Sequence, residues 1–172
     1  MTPSEVIQLT PFEVILQTEP NFMKHRLAQY GLVPLESDTH PKFSEHYRFL
    51  WLRSFHPAVL IEIKVIGPTE QLFEAKLWKG RGKSGKWEVQ RSRKITETVK
   101  RTHWDRLSAG GFFKLPFLGE KSGFDGSDWF IEAQRGKSYH AVYRWSPHSG
   151  IVYDFGRYLI EAAIESEFLP IY

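Results

Sequence analysis

Acids, serines, a histidine and two arginines crowd one stretch of this chain, GFDGSDWFIEAQRGKSYHAVYRWSP, from Gly123 to Pro147. Asp125, Ser127 and His140 supply the residue types of a hydrolytic triad, in which a base oriented by a carboxylate activates a hydroxyl. Glu132 and His140 could instead serve as a general acid and base pair. Neither set has the setting that its chemistry needs. No strand-turn-helix elbow surrounds Ser127, and none of the seven histidines stands in an HExxH or HxH spacing that would bring two imidazoles to one metal. The stretch therefore assigns no catalytic group, no metal and no cofactor. It reads as a β-hairpin with ionisable groups along it, and a hydrolase using His140 with Glu132 or Asp125 stays as a second alternative function.

Gly136 divides the stretch into two strand-like runs, Asp128 to Gln134 and Ser138 to Trp145. Residues directly opposite share a face, so an odd loop groups Trp129, Ile131 and Ala133 with Tyr139, Ala141, Tyr143 and Trp145 as one apolar face. Asp128, Phe130, Glu132, His140, Val142 and Arg144 then share the other. A loop of Arg135, Gly136 and Lys137 sets Asp128 opposite Arg144 and Glu132 opposite His140, cross-strand pairs that contribute about 0.2–1 kcal/mol each. A loop of Gln134, Arg135 and Gly136 puts glycine at the left-handed position but loses both pairs, and the sequence leaves the two open. Glu132, His140 and Arg144 are candidate binding residues on this reading. Trp129 is another, although a ring on the apolar side of a hairpin reads first as core.

These groups must be positioned by the elements around them. PNFMKHRLAQYGL places Phe22, Arg26 and Tyr30 a helical turn apart, with Gly31 as a stop. YRFLWLRSFHPAVLIEIKV reads as two strands joined at Ser54 to Pro57, because Pro57 cannot donate to a ladder. Gln71 to Lys79 and Lys86 to Lys94 flank the glycine-rich GRGKSG as a second hairpin. A helix follows from Thr96 to about Leu107, capped at Thr96 or Thr98 and ended by Gly110 and Gly111. After Pro147, Phe155, Leu159 and Ala162, with Tyr158 beside them, form the apolar stripe of a closing helix, opposed by Arg157, Glu161 and Glu165. Helix, four strands, helix, two strands, helix is the order expected of an α+β fold. The expected architecture is an antiparallel sheet of about six strands with helices packed on one face. The 172 residues suffice for one domain, of which 1–45 is the least regular part.

Composition narrows the class. Aromatic residues make up 15% of the chain, so large rings must fill the core, and the absence of cysteine removes thiolate chemistry and disulfides. The N-terminus lacks the basic region and apolar core of a secretion signal, and AVLIEIKVI is too short and too charged to span a membrane, so a soluble protein is expected, cytoplasmic by default. GRGKSG resembles the end of a phosphate-binding loop. Leu77 stands where the first glycine of that motif belongs, and a strand rather than a helix follows, so it is read as a turn.

Charge is uneven. Residues 76–106 hold eleven basic and three acidic residues, a net of +8 in a chain of net +3, which leaves the remainder at −5. Such polarity steers acidic partners. With Trp78 and Trp87 interleaved, nucleic-acid or other polyanion binding through Arg91, Arg93 and Lys94 is the alternative function. The same residues read first as a basic edge hairpin that blocks strand addition.

One further pattern spans residues 95 to 165. Phe113, Leu115 and Pro116 form F-x-x-L-P; Asp125, Gly126, Ser127 and Trp129 form D-G-S-x-W. Glu132, Tyr139 and His140, then Arg144, Trp145, Ser146 and Pro147, complete the string. It resembles a recurring pattern in small uncharacterised bacterial proteins, which implies a shared α+β fold and a bacterial origin and transfers no activity. The function expected is a non-enzymatic protein-interaction module of the inhibitor or immunity type, with a protein partner.

Overall fold

The computed structural model describes residues 19–37, 43–67, 69–80, 84–95, 103–120, 123 and 125–163. It is an α+β fold built on one open antiparallel sheet. The strands are β1 (Glu45–Arg53), β2 (Val59–Val65), β3 (Gln71–Lys79), β4 (Lys86–Ile95), β5 (Ser127–Arg135) and β6 (Ser138–Trp145), in the spatial order β4-β3-β2-β1-β5-β6. Every neighbouring pair is antiparallel, and only the β1–β5 pairing joins strands far apart in the chain. The helices are α1 (Glu19–Ala28), α2 (His103–Ala109) and α3 (Gly150–Ala163). The expected caps Thr96 and Thr98 lie outside the described residues.

β1 is central, and all nine of its residues are buried. Its odd-numbered positions Tyr47, Phe49 and Trp51 join Ile61, Phe73, Trp129 and Ile131 beneath Leu107 of α2 and Phe155, Leu159 and Ile160 of α3. Its even-numbered Leu50 and Leu52 join Leu60 and Phe130 against Phe22, Met23 and Leu27 of α1. Thus α2 and α3 share one face, while α1 covers the other. The sequence reading set all helices on one face; α1 departs from it because the second face carries its own apolar patch, and each large side chain buried there contributes about 1.5–3 kcal/mol.

That two-sided burial also corrects the register of the last hairpin. Arg135 pairs with Ser138, so the loop is the even pair Gly136 and Lys137. Gly136 has φ +55°, the glycine-first pattern of a two-residue II′ turn. Trp129 consequently faces with Arg144, and Phe130 with Tyr143. The odd-loop expectation fails, and with it the Asp128–Arg144 and Glu132–His140 pairs. Its premise was a single apolar face, whereas β5 is apolar on both.

The D-G-S-x-W and R-W-S-P residues close the open end of this hairpin. Ser127 Oγ accepts the Trp129 indole N–H at 2.8 Å, and Ser146 Oγ accepts the Ser127 amide at 2.9 Å. Gly126, at φ +150°, approaches so closely that a Cβ there would lie 2.3 Å from Ser146 Oγ. Ser54 of the β1–β2 turn bonds both the carbonyl and the amide of Gly126. The motif is a staple between two turns.

Candidate functional site

The two edges of the sheet are managed differently. At the β4 edge the ladder slips between Ala75 and Lys76, and basic residues line the strand; a bulge and charges are devices that oppose strand addition. At the β6 edge the chain supplies its own cover. Phe117 O accepts the Tyr143 amide at 2.7 Å, and Leu118 forms a parallel bridge with Tyr143. Arg144 clamps this cover, donating to Phe117 O and Pro116 O at 3.0 Å each, and burial lowers its pKa.

Among the described residues the cover stops short of the rest of β6. With the Tyr143 amide pointing outward, period-two alternation points the amides of Tyr139 and Ala141 outward too. Pro116 has no N–H to offer this edge, and Leu115 O is bonded by His140 Nε2 at 3.1 Å. A groove of about 390 Å³ opens there, walled by Met23 of α1, Glu36, the 115–117 segment and the 139–141 stretch of β6. Glu36 is exposed at its rim. The lining is apolar and ring-rich with one carboxylate and one imidazole, which suits binding an extended chain.

Beneath the groove lies a charged ladder. Tyr139 Oη stands 3.0 Å from Glu132 Oε1 and 3.1 Å from Met23 Sδ. Glu132 is fully buried; it also accepts the Leu35 amide at 2.8 Å and Arg48 Nη1 at 3.0 Å. Burial raises the Glu132 pKa, and Arg48, the Leu35 amide and Tyr139 only partly offset that. Arg48 in turn approaches Glu62 at 3.5 Å. Glu62 and Glu74 stand directly opposite each other on β2 and β3, and Lys64 and Lys76 each contact both, which removes the like-charge conflict. Burial opposes ionisation of Glu62, but His46, Lys64 and Lys76 outweigh it and hold the carboxyl well below its usual range. Glu62, Glu74 and Glu132 thus share Arg48, Lys64 and Lys76 in one network, which Arg48 and Glu132 tie to Val33 and Leu35.

The structure disperses the residues of the hydrolytic readings. His140 lies opposite Ala133, on the face of α3, whereas Glu132 points to the face of α1. Ser127 is six residues along β5 from Ala133, about 20 Å at the strand rise, so Ser127 and His140 are not in contact. Trp129 is wholly buried and stacked with Tyr153. Of the basic candidates, Arg91 donates to Ala163 O, Arg93 lies over the Phe73 ring and Lys94 pairs with Glu70. Trp78 and Trp87 pack edge-to-face at 4.9 Å, and Trp87 donates to Tyr30 O, so both rings are engaged with each other and with the residues following α1. Arg81, Lys83, Lys100 and Arg101 of the basic segment lie outside the described residues. Among the described residues no group of three or more metal-binding side chains occurs, and no helix is long and apolar enough to cross a membrane.

Sequence reasoning found His140 but not Met23, Glu36, Tyr139 or Arg48. The available signal was HYRF in β1, where His46 and Arg48 interrupt a strand otherwise apolar on that face; a buried charge there demands a buried partner. No family model, no curated protein and no solved structure matches this chain.

Proposed function

We propose that this chain is a non-enzymatic protein-interaction module that captures an extended segment of a partner protein along the open part of β6. The outward amides of Tyr139 and Ala141 carry this reading. Among the described residues no backbone partner meets these two amides; unpaired strand groups beside a groove are the recognition element of strand addition, and the chain's own 117–118 segment already docks on the next outward-facing residue of the same edge. Glu36 at the rim favours a segment carrying a lysine or arginine, and Leu115, Phe117 and Met23 favour an apolar neighbour. Occupying a partner in this way, as inhibitor and immunity-type proteins do, needs a rigid edge and no reacting group.

Ala141→Pro tests it. Proline removes the outward N–H and leaves the β5 ladder intact, since the inward amides belong to Ser138, His140, Val142 and Arg144. Wild-type protein panned against a displayed heptapeptide library should enrich extended sequences with a basic residue, and Ala141→Pro protein with unchanged near-UV circular dichroism should lose them. Equal enrichment by both proteins, or none by the wild type, refutes the proposal.

A further inference from the structure

At the open end of the last hairpin the chain carries a peptide bond of a type prone to rearrange. In an aspartyl-glycyl pair the glycine nitrogen attacks the aspartate Cγ: an N–Cγ bond forms, the nitrogen gives up its proton, the carboxyl gives up a hydroxyl, and the water so formed leaves behind a five-membered succinimide. A second water reopens the ring, mainly at the main-chain carbonyl, so that the chain then runs through the side chain as isoaspartate. Mass is unchanged, and no oxidant or cofactor takes part. Asp125–Gly126 is the one aspartyl-glycyl pair in the sequence, which has no asparaginyl-glycyl pair. Glycine favours the attack because no side chain shields its nitrogen. It is also required here, since Gly126 has φ +150° and a Cβ would stand 2.3 Å from Ser146 Oγ. Asp125 is exposed, so its carboxyl is open to water.

Gly126 is nevertheless held on both sides by one residue of the β1–β2 turn. Its amide donates to Ser54 Oγ at 3.1 Å, and its carbonyl accepts the Ser54 amide at 3.1 Å and the Ser54 hydroxyl at 2.9 Å. The next amide, that of Ser127, is fixed on Ser146 Oγ at 2.9 Å. Ring closure needs the Gly126 nitrogen to turn toward Cγ and lose its proton, and bonds that hold the peptide planes on either side of Gly126 oppose that turn. We infer that Asp125–Gly126 is a site of spontaneous aspartate isomerisation that Ser54 keeps closed, so that isoaspartate forms at position 125 only when the β1–β2 turn releases Gly126. The reaction therefore follows the local opening of this end of the hairpin. Each conversion adds a methylene to the backbone beside Gly126 and displaces it from Ser54, which makes the opening permanent.

Incubation of the full chain near neutral pH at physiological temperature, with isoaspartate at position 125 quantified by electron-transfer fragmentation of the digested protein, tests the inference. The folded chain should convert about tenfold or more slowly than the same chain unfolded in guanidinium chloride. Ser54→Ala removes the two bonds made by the hydroxyl and should convert about tenfold faster than wild type, while Ser54→Thr, which keeps the hydroxyl, should stay near the wild-type rate. Amide hydrogen exchange of wild-type protein gives a measure that needs no variant to fold: in mild denaturant the isomerisation rate should rise in step with exchange at Gly126, because both need the same bonds to open. Equal rates in the folded and unfolded chains, a Ser54→Ala protein as slow as wild type, or isomerisation that does not follow exchange at Gly126 overturns the assignment.

Discussion

His103 makes the fold acid-sensitive at a pH where most carboxylates are still ionised. Its ring is buried between Tyr47, Phe155 and Tyr158, with centroids 5.3 to 6.1 Å away, and Nε2 meets Gln71 Oε1 at 3.2 Å. Burial depresses its pKa to about 4, aided by Arg106 and partly opposed by Glu45. In the unfolded chain the imidazole titrates near 6.5. The unfolded state therefore binds a proton that the folded state refuses, and stability present above that value is lost as pH falls toward the folded pKa. Between about pH 7 and about pH 5 the two values imply a loss of about 2 kcal/mol from this one group. Urea denaturation at several pH values should show it, and His103→Gln should abolish most of that slope while keeping a hydrogen-bonding side chain. Glu62, whose folded pKa is lowered, adds a further loss only below its unfolded value near 4.5, outside that window. A His103→Gln protein with the same pH 7 to pH 5 slope as wild type would refute the assignment.

Substitutions at two further positions test the packing. Gly156 of α3 lies against Trp129 so tightly that an added Cβ would stand 2.3 Å from the ring, so Gly156→Ala should cost about 1–3 kcal/mol by overpacking against a gain of about 1 kcal/mol in helix propensity. A lower urea midpoint checks this, and an unchanged or raised midpoint contradicts the close approach. Glu132→Ala removes one carboxylate partner of buried Arg48 and should cost about 3–5 kcal/mol, with Glu132→Gln less damaging because it keeps acceptors for the Leu35 amide and Tyr139. Equal losses in both variants would show that the charge, and not the hydrogen bonding, dominates there.

Much of the architecture was readable because its causes are local. Pro57 marks the first bend, Gly110 and Gly111 end α2, and the stripe of Phe155 and Leu159 faces the core of α3. Runs of seven to ten residues rich in β-branched and aromatic side chains, bounded by turn residues, identify the strands. Parity at Gly136 misleads for an equally physical reason: it presumes a single apolar face, and Phe130, Ala141 and Tyr143 belong to a second apolar layer packed against α1, more than a hundred residues upstream.

The amino-acid sequence alone determined the α+β class, the six strands and three helices in order, and the hairpins, since propensity, turns and periodicity act over a few residues. Only the tertiary structure decided that β5 pairs with β1, which makes β1 central and buries both of its faces. That pairing brings Glu132 to Arg48 and gathers Met23, Glu36, Leu115 and His140 around one groove. Such contacts depend on which distant surfaces bury each other, and no short window of sequence carries that information.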